Sequence, residues 1–146
     1  MRFFNVNIIA RDWRKLAQFY IDVFKCRPRF PESVCCVKDQ GAAPYDEDTD
    51  VEGIYLYLPG KYNDPPTLEI FQYMEFQENE RRLHKNGFGH IAFFVEDVEK
   101  TLNRVKEKGG TPLGEIVEKD IPNAGKLTFA YAKDPENNII ELQKWQ

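Results

Sequence analysis

Residues 88–100 read FGHIAFFVEDVEK, and residues 3–15 read FFNVNIIARDWRK. Setting Asn5 against His90 brings Val6 onto Ile91, Ile8 onto Phe93, Ile9 onto Phe94, Ala10 onto Val95, Asp12 onto Asp97 and Lys15 onto Lys100. Both stretches run through a short apolar segment, an aspartate and a helical pattern, so the chain is read as an internal repeat. Asp12 and Asp97 stand where an N-cap belongs, since a carboxylate there accepts from backbone N–H groups that the first helical turn leaves unpaired. After Asp12, Trp13, Leu16, Ala17, Tyr20, Val23 and Phe24 recur at helical spacing; after Asp97, Val98, Leu102 and Val105 form a narrower stripe, ended by Gly109-Gly110.

A second pair of segments repeats as well. PTLEIFQY from Pro66 aligns with NIIELQKW from Asn138, which puts Glu69 on Glu141. The first is preceded by GIYLYLPG, a strand pattern closed by Pro59-Gly60, and the second by KLTFAYAKDPENN, which ends in strong turn chemistry. Each half therefore reads strand, helix, then two or three strands. The expected organisation is one domain made of a module over 1–74, a polar linker over 75–85 with room for a short helix, and a module over 86–146. The Gly/Pro/Asp-rich insert from Lys38 to Glu52 reads as a mobile loop.

Composition narrows the function. A chain of 146 residues, 42% hydrophobic and 30% charged, has the makings of one globular core. Its net charge of -4 speaks against nucleic acid, which needs a basic face. With no basic-then-apolar leader and no apolar run near 18 residues, neither a signal peptide nor a membrane span is expected. Three cysteines, Cys26, Cys35 and Cys36, two of them adjacent, do not make a disulfide framework and read as small buried or half-buried residues in a reducing cytoplasm.

Strand parity says where the polar exceptions point. Val6, Ile8 and Ala10 take the face that packs on the helix, leaving Asn5, Asn7 and Ile9 on the other; the same count puts His90, Ala92 and Phe94 away from the second helix. Glu69, Phe71 and Tyr73 share a face, as do Glu141 and Gln143. A carboxylate in an apolar strand needs a partner, because burying it alone costs several kcal/mol. If the halves are related by a pseudo-twofold axis, Asn5, Glu69, His90 and Glu141 converge on one point in a curved sheet, and a histidine with two carboxylates suits a divalent metal.

On NVNIIARDWRKLAQFYIDVF, GIYLYLPG, PTLEIFQY, GFGHIAFFVEDVEKTLNRVKEKGG and KDPENNIIELQKW, taken in order over nearly the whole chain, the sequence resembles the vicinal oxygen chelate superfamily of glyoxalases, bleomycin and fosfomycin resistance proteins and extradiol dioxygenases. The resemblance implies an α+β fold of two βαβββ modules forming a partial, cupped β-barrel around a metal. Its ligand positions fall on Asn5, Glu69, His90 and Glu141. The glyoxalase-type set is His, Glu, His, Glu, so three of four are kept and the pattern is nearest to glyoxalase I, lactoylglutathione lyase. One remaining histidine argues against extradiol oxygen chemistry, and Glu69, where epimerases of the family carry glutamine, argues mildly against those.

The implied activity is that of a divalent-metal-dependent lyase or isomerase that moves a proton next to a carbonyl of a small oxygenated substrate, through a metal-bound enediolate. The metal is Ni, Zn, Mn, Fe or Co. Glu141 is then base and part-time ligand, Glu69 the second carboxylate and His90 the anchoring ligand. Asn7, Tyr57, Phe71, Phe94 and Gln143 line the substrate pocket, and a homodimer is implied. Asn5 is the departure: an amide oxygen is a hard, neutral, weak ligand, better matched to Ca, Mg or Mn. It coordinates weakly, holds a metal-bound water, or marks a lost metal site, as in a small-molecule sequestration protein of the bleomycin-resistance type. The plainer alternatives are that Glu69 and His90 pair with each other or with neighbouring donors and do no chemistry, or that the chain is a noncatalytic interaction module. His84 reads as a solvated side chain. DEDTD from Asp46 lacks the glycine and closing glutamate of a calcium loop, and GGTPLG from Gly109 follows a helix rather than a strand, so neither marks an ion or phosphate site.

Overall fold

The computed structural model describes residues 1–30, 51–73 and 87–146. They divide into two compact units, Met1–Glu78 and Asn79–Gln146. The first holds β1 (Asn5–Ile9), α1 (Trp13–Phe24), β2 (Arg27–Pro28), β3 (Val51–Tyr57) and β4 (Thr67–Tyr73); the second holds β5 (Ile91–Phe94), α2 (Val98–Glu107), β6 (Thr111–Ile121), β7 (Gly125–Lys133) and β8 (Ile139–Trp145). Their sheets run β1-β4-β3-β2 and β5-β8-β7-β6, the same order twice, so the sequence repeat is a repeat of topology: βαβββ and βαβββ. In each sheet the first strand pairs in parallel with the last, and the last three strands are antiparallel.

Local chemistry accounts for these elements. Asp12 accepts from Lys15 N at 3.0 Å and Asp97 from Lys100 N at 2.9 Å, the two expected N-caps. α1 buries Trp13, Leu16, Ala17, Phe19, Tyr20, Val23 and Phe24. α2 buries only Val98, Leu102 and Val105 and ends before Gly109, whose φ of 90° closes the turn. Beneath α1 lie Leu68 and Ile70, both fully buried and on the parity of Ile8; beneath α2 lie Ile140 and Leu142. The DPENN turn is fixed by Asp134, which accepts from Glu136 N, Asn138 N and Asn138 Nδ2 at 2.7–2.9 Å, with Asn137 at φ 66°. That turn sets the register of β8 on β7 and therefore where Glu141 emerges.

One boundary needs correction. The loop read over 38–52 ends by residue 50, because Val51 and Glu52 already pair with Tyr73 and Gln72 in β3; the ladder claims two residues that composition assigned to the insert. Residues 38–50, the linker 75–85, His84, Cys35 and Cys36 lie outside the described residues. Among the described residues no helix is long and apolar enough to cross a membrane.

Candidate functional site

In the first unit, register places two rows of side chains on the face away from α1. One row holds Asn5, Thr67, Tyr57 and Arg27, and the next holds Asn7, Glu69 and Tyr55, because residues directly opposite each other share a face. Asn5 Nδ2 donates to Glu69 Oε1, a diagonal contact across the β1–β4 pair. Glu69 is half-buried, and Asn7, its direct neighbour on β1, is exposed. Phe71 is half-buried and meets Tyr55 edge-on at 5.6 Å. A side chain at Gly53, opposite Phe71, would strike the Phe71 ring and the Ile70 carbonyl, so glycine is what lets that ring lie there.

The second unit repeats the geometry with different chemistry. Ala92 pairs with Glu141, as Asn7 pairs with Glu69, and His90 stands two residues before Ala92 as Asn5 stands two before Asn7. His90 Nε2 lies 2.9 Å from Glu141 Oε2, with the carboxylate side chain only 9% exposed and the imidazole 33%. Tyr131 is the β7 residue opposite Glu141, as Tyr55 is the β3 residue opposite Glu69. Its phenol stands beside the Glu141 carboxylate, and its ring meets His90 edge-on at 5.5 Å. Burial, followed by the charge of Glu141, raises the Tyr131 pKa.

Asn5 and Glu69 are thus brought together, as are His90 and Glu141. Of the residues expected to line a pocket, Tyr57 stands opposite Thr67 and Arg27 rather than beside Glu69. Phe94 is 70% exposed opposite Gln143, and Gln143 accepts from Trp145 Nε1 at 3.2 Å. Strand alternation puts Tyr55 and Tyr57 on one face without choosing between them, and it does not single out Tyr131. The signal was present in GIYLYL and LTFAYA, but choosing the right tyrosine requires the hairpin register. An imidazole nitrogen with carboxylate oxygens fits a divalent cation in donor type, and an amide oxygen adds a weak hard donor. Each unit supplies two such groups. Among the described residues no group of three or more His, Cys, Asp or Glu is gathered closely enough to hold an ion.

A repeated βαβββ unit with a paired strand-borne carboxylate in each copy defines a glyoxalase-like α+β fold. The sequence model of the glyoxalase/bleomycin resistance protein/dioxygenase superfamily matches residues 2–142, and the chain belongs to that superfamily. A probable lactoylglutathione lyase from Synechocystis sp. is 40% identical over 58 residues, which are 39% of this chain and 41% of that relative, so the likeness spans about two fifths of its length. A glyoxalase family protein from Bacillus cereus superposes with a TM-score of 0.76 at 17% identity, over 99% of this chain and 94% of that one. The fosfomycin resistance protein FosX of Listeria monocytogenes, a complex with Mn(II) and sulfate, gives a TM-score of 0.61 at 16% identity over 100% and 93% of the two chains. At these identities the two structures speak to the fold.

Proposed function

We propose that this protein is a divalent-metal-dependent lyase or isomerase of the glyoxalase type, moving a proton next to a carbonyl of a small oxygenated substrate. The observation that carries the reading is the His90–Glu141 pair, repeated at the same register as Asn5–Glu69. Within the family, the likeness to a probable lactoylglutathione lyase favours lyase chemistry on a thioester-forming adduct as the first substrate class to try. FosX with Mn(II) supports a metal on this scaffold.

Within the second unit His90 and Glu141 would be donors to the cation; Asn5 and Glu69 are the corresponding pair in the first. A bound divalent cation supplies Lewis-acid stabilisation of charge developing on a substrate oxygen, worth several kcal/mol. The chain's own residues do the rest. Glu141 takes the proton as the C–H bond beside the carbonyl breaks, and returns it to the neighbouring carbon, so no oxidant or reductant is consumed. His90 holds the carboxylate from one oxygen, and Tyr131 stands beside it. The low exposure of Glu141 limits water around it, which strengthens every contact it makes.

A second reading, a metal-free sequestration protein, is favoured by the Asn5–Glu69 hydrogen bond, which satisfies the first unit's carboxylate with no ion. Lactoylglutathione incubated with protein and Mn(II) or Ni(II) in deuterated water separates the two. The enzyme reading predicts metal-dependent deuterium incorporation beside the carbonyl. Glu141→Gln lowers it about 10²–10⁴-fold, the usual contribution of a general base. Tight binding of the compound with no exchange under any metal supports sequestration and contradicts the enzyme.

A further inference from the structure

The first unit carries a cationic feature that the proton transfer leaves unused. β2 is short, but it brings two arginines onto the face that carries Asn5 and Glu69: Arg27 pairs with Tyr57, and Arg29 N donates to Tyr55 O at 2.8 Å. The Arg29 guanidinium stands 5.6 Å from the centroid of Phe4, 5.3 Å from Phe30 and 6.0 Å from Tyr57. Rings at these distances attract the guanidinium's charge through their own faces.

Among the described residues no carboxylate pairs with Arg29 or Arg27. Asp64 pairs with Arg2 at 2.5 Å and Glu52 with Arg14 at 3.3 Å. In a chain with a net charge of -4 this is a local reversal of sign.

We propose that Arg29, framed by Phe4, Phe30 and Tyr57 and supported by Arg27, is an oxyanion subsite that binds a carboxylate or phosphate group at the far end of the substrate. A half-buried guanidinium suits such a group, because its two parallel N–H donors match two oxygens. The spacing defines the ligand further. Arg29 is bonded to Tyr55, and Tyr55 is the partner of Glu69, so two strand intervals, about 10 Å, separate the arginine from the carboxylate row. An anion directly beside Glu69 is repelled, whereas one held at Arg29 is not. The substrate class is therefore a small, two-ended organic anion: an oxygenated end at the Glu69 row and an acidic group several bonds away. The oxygenated end of this assignment rests on the proposed function above; the anion subsite does not.

The test uses succinate and inorganic phosphate as probes, with the full-length ¹⁵N-labelled protein at constant ionic strength. The expected result is a saturating shift of the Arg29 Nε–Hε resonance, identified by its loss in Arg29→Gln. Affinity falls at least about tenfold in Arg29→Gln, in keeping with hydrogen bonds to a charged group. Arg29→Lys falls between, and Arg14→Gln, on α1, binds as the unaltered protein does. Saturation by succinate alone assigns a carboxylate, and saturation by phosphate assigns a phosphate. Equal affinity in Arg29→Gln, or a shift that never saturates, overturns the subsite. Metal content measured on the same samples is unchanged by Arg29→Gln. A protein that binds the anion but retains no metal contradicts the enzyme reading and leaves the subsite standing.

Discussion

In the first module the strand-borne carboxylate, Glu69, is half-exposed and its partner is the amide of Asn5; in the second, Glu141 is nearly buried between the imidazole of His90 and the phenol of Tyr131. The backbone around the two is the same, down to the two-residue offset between the first-strand partner and the residue directly opposite the carboxylate. One side chain on the first strand thus decides what the carboxylate can do. An amide gives a neutral, fixed hydrogen bond, whereas an imidazole gives a group that titrates and ligates metals. The modules differ again at their outer strands: β2 has two residues and presents arginines, while β6 has eleven with a register shift between Leu113 and Val117. On this account the second module carries the chemistry and the first carries selectivity.

Core truncation probes that likeness with the largest effect. Ile70 and Leu142 hold equivalent places, next to Glu69 and Glu141, and both are fully buried. Ile70→Ala and Leu142→Ala should each cost about 2–5 kcal/mol in urea unfolding, as buried aliphatic truncations do. Similar values for the two support structural equivalence of the modules; a negligible cost at either position contradicts it.

A smaller effect sharpens the difference. Tyr131→Phe removes the hydroxyl beside Glu141 and should lower turnover about tenfold with little change in stability. Tyr55→Phe, its counterpart beside Glu69, should lower turnover less. Parallel steady-state kinetics decide the matter, and a Tyr55 effect as large as the Tyr131 effect would place both modules in the chemistry.

The smallest effect belongs to one module alone. Cys26, just after α1, is buried, and burial pushes its thiol up to about 12 from 9.0. The unfolded thiol ionises near 9 while the folded one stays neutral, so stability is intact below pH 9 and declines above it, by up to about 1.4 kcal/mol per pH unit. Cys26→Ala should remove that part of the alkaline decline in urea midpoints between pH 8.5 and 10. All three cysteines lie in the first half of the chain, so no thiol in the second module contributes to it.

Much of the fold was legible in the sequence because periodicity and caps are local. The apolar stripes after Asp12 and Asp97, and the alternation around Asn5 and Glu69, mark helices and strands without knowledge of the partners. Register is not local. The pairing of Tyr55 with Glu69 and of Tyr131 with Glu141 depends on where the hairpins close, through Pro59-Gly60 in one module and Asp134 in the other, so the tyrosines stayed hidden although the carboxylates did not. A strand of two residues such as β2 has too little pattern to be seen, and with it went the placement of Arg27 and Arg29.

Elemental analysis of untagged protein, purified without chelator and compared with Asn5→His and His90→Ala, tests the central claim most directly. The account predicts a divalent metal in the native protein, near-complete loss in His90→Ala, and at least tenfold tighter retention when the first module is given the second module's histidine. A protein that stays empty in all three forms, whatever metal is supplied, contradicts it.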